Sequence, residues 1–218
     1  MRDHATWDGV TLRTTYQDWI VERRDQLADA ARAGDWPAVL RQLATRDEWV
    51  NATRLGGASG YTALHQAAWH GAPVEIVTRL VELGAWRTVR AASGDRPLDI
   101  AASRGHHHLA GALRPEIRHP LPDGVLAALQ QQLHALILER AAPQVAEYQL
   151  RLPDLAPLTE LNGPAFWFPV PGMYGGFQYR LDGAELVVES WNRVIGGSGQ
   201  THRVTDDSIE LVASGWWV

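Results

Sequence analysis

Chemistry-bearing side chains concentrate in the stretch ESWNRVIGGSGQTH, from Glu189 to His202. Alternate residues of an extended strand point to one side, so Glu189, Trp191 and Arg193 share a face. A loop over Gly196–Gly199 would pair Arg193 with His202 on the returning strand. This register predicts one face that gathers an Arg, a His, a Trp and acidic groups, and a slip of one residue would destroy it. The other predicted pairs are Ile195 with Gln200, Trp191 with Val204 and Glu189 with Asp206.

This predicted face has two interpretations. It is either a solvated ladder of cross-strand charge pairs or the wall of a catalytic pocket. In the catalytic interpretation, His202 exchanges protons, Glu189 orients its imidazole and Arg193 stabilises an oxyanion or enolate. Trp191 would pack against a substrate. Both interpretations stay open, although an exposed charge ladder does not usually place Trp beside His and Arg.

An aromatic segment, FWFPVPGMYGGFQYR, precedes this hairpin. Its prolines and glycines favour tight turns, and we expect the turn to push Met173 and Tyr174 outward. These side chains and the neighbouring aromatics would line an apolar pocket beside His202, which is the usual composition of a small-molecule site. The predicted substrate-binding residues are Trp191, Tyr174, Trp167, Phe177, Tyr179 and Met173.

The amino-acid composition excludes several types of catalytic group and metal ligand. The chain has no Cys, and all 20 basic residues are Arg, which excludes thiolate nucleophiles, Schiff-base lysines and Cys metal clusters. The histidines His106, His107 and His108 point in different directions around a helix, so we assign them to the surface. The glycine cluster VIGGSGQ lacks the Lys of a phosphate-binding loop. We therefore predict no cofactor and no metal site.

Charge and hydropathy exclude two classes of partner. The net charge is -5 and the arginines alternate with acids, so no basic footprint for nucleic acid stands out. No apolar run approaches the roughly 20 residues of a membrane span, and MRDHATWDG lacks the apolar stretch of a signal peptide. We expect a cytoplasmic protein that binds neither nucleic acid nor a membrane.

A short sequence motif recurs three times in the first half of the chain. AARAGDW, AAWHGAP and AASRGHH place Gly34, Gly71 and Gly105 at similar intervals. The boxes TALHQAA and RPLDIAA, which surround the last two copies, resemble the TPLHxAA signature of ankyrin repeats. In the first box Thr62 suits a helix N-cap, and His65 is expected to bond to backbone rather than to act in catalysis.

A long helix and a β-rich tail follow the repeats. LPDGVLAALQQQLHALILERAA predicts a helix capped by Asp123 that ends near Pro143. Short β-rich runs between glycine turns predict an antiparallel sheet downstream. The predicted fold class is α+β, with an N-terminal α-helical ankyrin array of about three repeats plus capping helices, followed by a small antiparallel β-sheet domain packed on it. The predicted divisions are 1–115 for the array with its N-terminal helix, 116–150 for the long capping helix, 151–163 for a linker and 164–218 for the β-domain.

Two longer blocks add a resemblance. The chain resembles a bacterial, actinobacterial-type family in four segments. These segments are FPVPGMYGGF, ESWNRVIGGSGQTH, VNATRLGGASGYTALHQAAWHGA and GAWRT. In that family a short ankyrin array precedes a tail with the patterns FPVPGMYGGF and ESWxRVxGGSGxxH. The resemblance covers nearly the whole chain; it implies this fold and no particular reaction.

Two functional hypotheses follow. The first is a metal-free, cofactor-independent lyase or cyclase of specialised metabolism, which removes a β-hydroxyl and closes a ring by conjugate addition on an apolar, polyketide-like substrate. The second is a non-catalytic adaptor that binds a protein partner on the ankyrin face. In the adaptor, the residues at the repeat tips would matter more than His202; examples are Arg54, Tyr61 and Arg87.

Overall fold

Two units make up the protein. The computed structural model describes residues 4–161, 165–193 and 197–215. One unit is the continuous segment Tyr16–Glu116, and the other joins the residues up to Thr15 with those from Ile117 onward. The first is helical and the second combines a sheet with a long helix, so the predicted α+β class is confirmed. The N-terminal residues, grouped with the array from sequence, belong to the sheet unit.

Three helix pairs form the unit Tyr16–Glu116. Gly34 and Gly71 end the first helix of the first two pairs in the left-handed conformation, with φ of 74° and 63°. Gly105, with φ of 75°, holds the corresponding place in the third pair. The repeated motif of small residues followed by glycine therefore corresponds to the end of the first helix in each pair. The pairs are α1 (Asp18–Ala33) with α2 (Trp36–Leu43), α3 (Ala63–His70) with α4 (Val74–Glu82), and α5 (Pro97–Ser103) with α6 (Ala110–Leu113).

The TALH box folds as a local hydrogen-bonded cap. Thr62 donates its backbone N–H to Nδ1 of His65 at 3.2 Å, and its side chain accepts from the N–H of His65 at 3.5 Å. His65 is fully buried, so its predicted structural role is confirmed. Asp99 takes the equivalent place in the third pair, where its carboxylate accepts the N–H of Arg96 at 2.9 Å.

A six-stranded sheet dominates the second unit. Its strands lie side by side in chain order, and every neighbouring pair is antiparallel except the first two strands, which are parallel. The first strand was not predicted from the sequence. The strands are β1 (His4–Thr6), β2 (Ala165–Val170), β3 (Gly175–Asp182), β4 (Glu185–Asn192), β5 (Ser198–Val204) and β6 (Ile209–Gly215).

One long helix, α7 (Asp123–Glu147), packs against β2, β4 and β5. Pro122 occupies the N-cap position, so Asp123 lies in the first turn rather than at the cap. The helix also continues beyond Pro143, which removes a backbone hydrogen bond and leaves Ala141 with non-helical angles. The predicted cap is therefore wrong by one residue, and the predicted end near Pro143 corresponds to a kink at Ala141, beyond which the helix continues to Glu147. The apolar stripe that α7 buries is Leu129, Leu133, Leu136 and Ile137.

The segment after α7 is held in place by side chains of that helix. His134 Nε2 lies 2.7 Å from the carbonyl of Pro153, and the side chain of Gln130 accepts the N–H of Leu155 at 3.0 Å. A buried 3₁₀ turn, Ala156–Thr159, follows. Among the described residues, no helix combines the length and apolar character that crossing a membrane requires.

Candidate functional site

The register of the β4–β5 hairpin decides which side chains share a face. His202 pairs with Val188, and Ser190 pairs with Gln200. The predicted pairing of His202 with Arg193 is therefore wrong. The last pair of the ladder joins Asn192 to Ser198, which lies within the predicted loop. The register is shifted by five residues from the predicted one; because this number is odd, the returning side chains lie on the opposite face. Ile195, one partner of another predicted pair, lies outside the described residues.

The predicted catalytic group is divided by this register. His202 points to the face that packs on α7, which we call the inner face, and is buried. Glu189 and Trp191 lie on the outer face, because they alternate with the buried Val188 and Ser190. Arg193 follows the end of β4; its side chain is exposed and its backbone N–H donates to the carbonyl of Met173 at 3.3 Å. Glu189 therefore cannot orient the His202 imidazole as predicted.

The predicted aromatic pocket is also divided. Phe177 and Tyr179 are fully buried on the inner face, as core. Met173 is only 1% exposed, which contradicts the expectation that it projects outward. Tyr174 does project, with 78% exposure and a left-handed φ of 49°. The turn therefore presents one aromatic side chain to solvent and directs Met173 into the protein.

Trp167 and Trp191 stack on the outer face. Their ring centroids are 4.7 Å apart and their planes differ by 14°. Gly176 lies beside them on β3, opposite Trp191 in the ladder, and has φ of 156°. A Cβ at that position would come within 2.8 Å of the Trp167 ring. The same Cβ would also clash, more severely, with the backbone carbonyl of Phe168 on β2, so the close approach of that carbonyl and of the Trp167 ring requires glycine here.

Polar side chains interrupt the apolar inner face near one end of β5. Ser190 is 1% exposed and His202 is 6% exposed. The Ser190 Oγ, the His202 Nδ1 and the Nε of Arg140 are buried and find no hydrogen-bond partner among the described residues. Arg140 lies on α7, directly before the bend at Ala141, and donates through one terminal nitrogen to Ser198 Oγ at 3.3 Å. We call Arg140, Ser190, Ser198 and His202 the inner polar cluster.

Electrostatics favour the neutral form of the histidine in this cluster. Burial lowers the pKa of His202, the nearby positive charge of Arg140 lowers it further, and Glu139 acts in the opposite direction. The pKa of Arg140 is also lowered, chiefly by desolvation. A neutral imidazole in this position can accept a proton or a hydrogen bond. Elsewhere on the inner face, burial raises the pKa of Tyr179 well above its usual range.

The helical unit contains an open groove of about 640 Å³. Its wall is formed by α1, by the loop between α2 and α3, and by α3. Three arginines and no Asp or Glu line it directly. Two of the repeat-tip residues predicted for an adaptor, Arg54 and Tyr61, belong to this lining, and Arg87 does not. The lining includes Arg24, Leu27, Ala28, Ala31, Arg32, Arg54, Tyr61, Ala63, Gln66, Trp69 and His70.

The groove has a fixed cationic floor and an aromatic edge. Arg24 is 3% exposed and donates to the carbonyl of Thr53 at 2.8 Å. Arg54 forms ion pairs with Asp29 and Asp25, so its charge is compensated from α1. Trp69 is 41% exposed, and the Arg104 guanidinium lies 3.9 Å from its ring centroid.

Other side chains near the groove complete this picture. Arg32 is exposed, and its carbonyl lies 2.9 Å from Nε2 of His70. The Tyr61 and Trp69 rings meet edge to face at 6.3 Å. The groove therefore offers an apolar surface of small side chains, an aromatic contact and one exposed cation.

Two of the three consecutive histidines bond to backbone carbonyls through their side chains. His106 Nε2 lies 3.2 Å from the carbonyl of Trp69, and His108 Nε2 lies 3.3 Å from that of Ala72. His107 and His108 are exposed. Within the described ranges, no group of three or more His, Cys, Asp or Glu side chains has the arrangement of a metal site.

Comparison with known proteins bears on the helical unit. Residues 59–91 match the family model of the ankyrin repeat. These residues include α3, α4 and the part of the groove wall formed by Tyr61, Gln66 and Trp69. A search of curated proteins found no match. The resemblance of the tail to a bacterial family stays a prediction.

Proposed function

We propose that this protein is a binding module whose groove recognises a segment of a partner protein. The observation that carries the proposal is the open groove of about 640 Å³ in a unit that contains an ankyrin repeat. Ankyrin arrays present their concave surfaces to other proteins, because each repeat adds a similar strip to one continuous face. This corresponds to the adaptor hypothesis from the sequence.

The lining defines the chemistry of the partner segment. Ala28, Ala31 and Ala63 keep part of the wall shallow and apolar, which allows a peptide backbone to approach. Trp69 offers an exposed ring for an apolar or aromatic anchor side chain. The exposed Arg32 would bind a carboxylate next to that anchor. We therefore expect a short segment with a large apolar residue followed or preceded by an acid.

Site-specific crosslinking tests the proposal. A photoreactive residue placed at Gln66, which lines the groove, is compared with one at Thr78, an exposed position of α4 outside the lining. The segment crosslinked only from Gln66 is identified, synthesised and titrated against the full chain by calorimetry. A stoichiometric complex with that peptide is expected.

Variants then assign the binding to the groove. Ala28→Trp would fill it, and Trp69→Ala would remove the aromatic anchor contact, so each should weaken binding at least tenfold. Trp19→Ala is the matched control, since Trp19 is an exposed tryptophan of α1 that does not line the groove. Equal affinity of wild type, Ala28→Trp and Trp69→Ala would exclude the groove as the binding surface.

The second candidate is the metal-free lyase or cyclase predicted from the sequence. The specific support is the buried His202, whose lowered pKa favours a neutral imidazole that can accept a proton beside Arg140. In this form of the hypothesis Arg140 replaces Arg193 as the group that stabilises negative charge. Glu189 and Trp191 take no part, because they lie on the outer face.

Metabolite profiling separates the two candidates. A deletion strain is complemented with wild type, His202→Gln or Glu189→Gln. Acid–base chemistry at His202 predicts that His202→Gln alone leaves an uncyclised or hydrated precursor, while Glu189→Gln clears it. Profiles that are the same for all three genes would eliminate the enzyme and leave the binding module.

A further inference from the structure

The inner polar cluster contains a partly buried guanidinium, that of Arg140, which the neighbouring Glu139 attracts without forming an ion pair. Arg140 forms one hydrogen bond, to Ser198 Oγ at 3.3 Å, and no carboxylate of the described residues pairs with its guanidinium. Its Nε is buried and makes no hydrogen bond within that part of the chain. Removing a guanidinium from water without an anion is costly, and proteins usually compensate for it with a paired charge.

The other members of the cluster point into the same region. In the β4–β5 ladder, Ser190 pairs with Gln200, and His202 and Ser198 lie two residues to either side of Gln200 on β5. Side chains at these alternate positions emerge from one face. Arg140 reaches this face through its hydrogen bond to Ser198 Oγ, and its charge also lowers the pKa of His202. Besides the Arg140 Nε, the Ser190 Oγ and the His202 Nδ1 are buried and have no hydrogen-bond partner among the described residues.

We infer that the inner polar cluster binds the carboxylate group of a small molecule, with the Nε and terminal nitrogen of Arg140 as its principal donors. The side of a guanidinium that carries Nε matches the two oxygens of a carboxylate, and such paired bonds are strong and directional. Ser190 Oγ supplies a further donor. The His202 Nδ1 donates as well when the bound anion has raised the pKa of the imidazole.

The surroundings restrict the rest of the ligand. Val188 and Val204 flank His202 on the inner face and are fully buried. A second charged group on the ligand would meet no partner beside these apolar side chains, so the inference is limited to monocarboxylates. The inference concerns binding alone. It holds whether or not His202 transfers protons and is independent of the groove in the helical unit.

Butyrate is a suitable probe, and butyramide is its neutral control. Histidine side chains of the full-length protein are labelled with ¹⁵N, and the His202 signal, assigned with His202→Gln, is followed by NMR during titration. Butyrate should shift this signal in a saturable manner and raise the pKa of His202, because a nearby anion stabilises imidazolium. Glu139 and Arg140 are the charged groups that act on this histidine, so their contributions are the baseline for the measurement.

Arg140→Gln should weaken butyrate binding at least tenfold, and Arg140→Lys should give an intermediate loss because it keeps the charge but not the paired donors. Arg203→Gln is the control, since Arg203 lies next to His202 in sequence but is exposed and pairs with Glu185 and Asp182. Thermal unfolding of each variant verifies that it folds.

The inference is overturned by any of three results: no saturable shift of the His202 signal with butyrate, equal binding of butyramide, or unchanged butyrate affinity in both Arg140 variants. Inorganic phosphate serves as a second anion. Phosphate binding that equals butyrate binding would also contradict a carboxylate site, since it would indicate attraction of anions by charge alone.

Discussion

His202 lies directly opposite Val188 in the β4–β5 ladder, with its side chain on the buried face of the sheet. This relationship removes the histidine from Glu189 and Trp191 and brings it under the influence of Arg140. The protonation equilibrium of His202 therefore depends on whether the protein is folded.

Stability should depend on pH through His202. Burial and Arg140 hold its folded pKa below the ordinary value of 6.5, so the unfolded chain binds the proton more readily. The stabilising contribution is fully present above pH 6.5 and declines as the pH falls from there toward the folded pKa. Thermal unfolding at pH 8 and pH 5.5 should show a larger loss for wild type than for His202→Gln. Identical losses would contradict the assignment.

Thr62→Ala should destabilise the helical unit by about 0.5–2 kcal/mol, because it removes the N-cap acceptor of α3. Thr78→Ala, at an exposed position inside α4, is the control and should change little. Denaturant titration of the full chain measures both. A loss of the same size in the control would mean that the cap contributes nothing specific.

Gly176→Ala should cost at least about 1–3 kcal/mol, because the new Cβ meets the Phe168 carbonyl and the Trp167 ring at a backbone angle that L-residues rarely adopt. Gly124→Ala on α7 is the comparison, since a Cβ there meets nothing within 4 Å. The free energy of unfolding of the two variants should differ in sign or by most of this amount. Comparable stability would refute the tight approach of the Phe168 carbonyl and the Trp167 ring to Gly176.

The Trp167–Trp191 stack should appear as a coupling energy. A double-mutant cycle with Trp167→Leu and Trp191→Leu is expected to give about 0.5–1.5 kcal/mol, the usual contribution of an aromatic pair beyond its buried area. Strictly additive single and double changes would show that the rings are neighbours without specific interaction.

Local features of the fold were predictable from sequence. The glycines at 34 and 71 end helices because their left-handed conformation strongly favours that residue, and the Thr62 cap depends only on a residue three positions away. Both are determined within a few residues of chain. The α+β class followed from such local signals.

Features that depend on distant pairing were not predictable. The glycine-rich turn of the β4–β5 hairpin is compatible with several registers, and the odd shift between two of them reversed the face of His202. The strand β1 depends on a partner far along the chain. One signal was overlooked: Arg140 continues the spacing of Leu129, Leu133 and Leu136, so a charge stood in the buried stripe of α7.

The parallel pairing of β1 with β2 sets an order of events during synthesis. Residues 4–6 leave the ribosome first, yet their partners at 165–167 follow only after the whole segment Tyr16–Glu116. At about 5–20 residues per second, the first strand waits roughly 10–30 seconds for its neighbour. The helical unit has its complete sequence during that interval. Translation speed and chaperones that shield an unpaired strand are therefore expected to affect the yield of the sheet unit more than that of the helical unit.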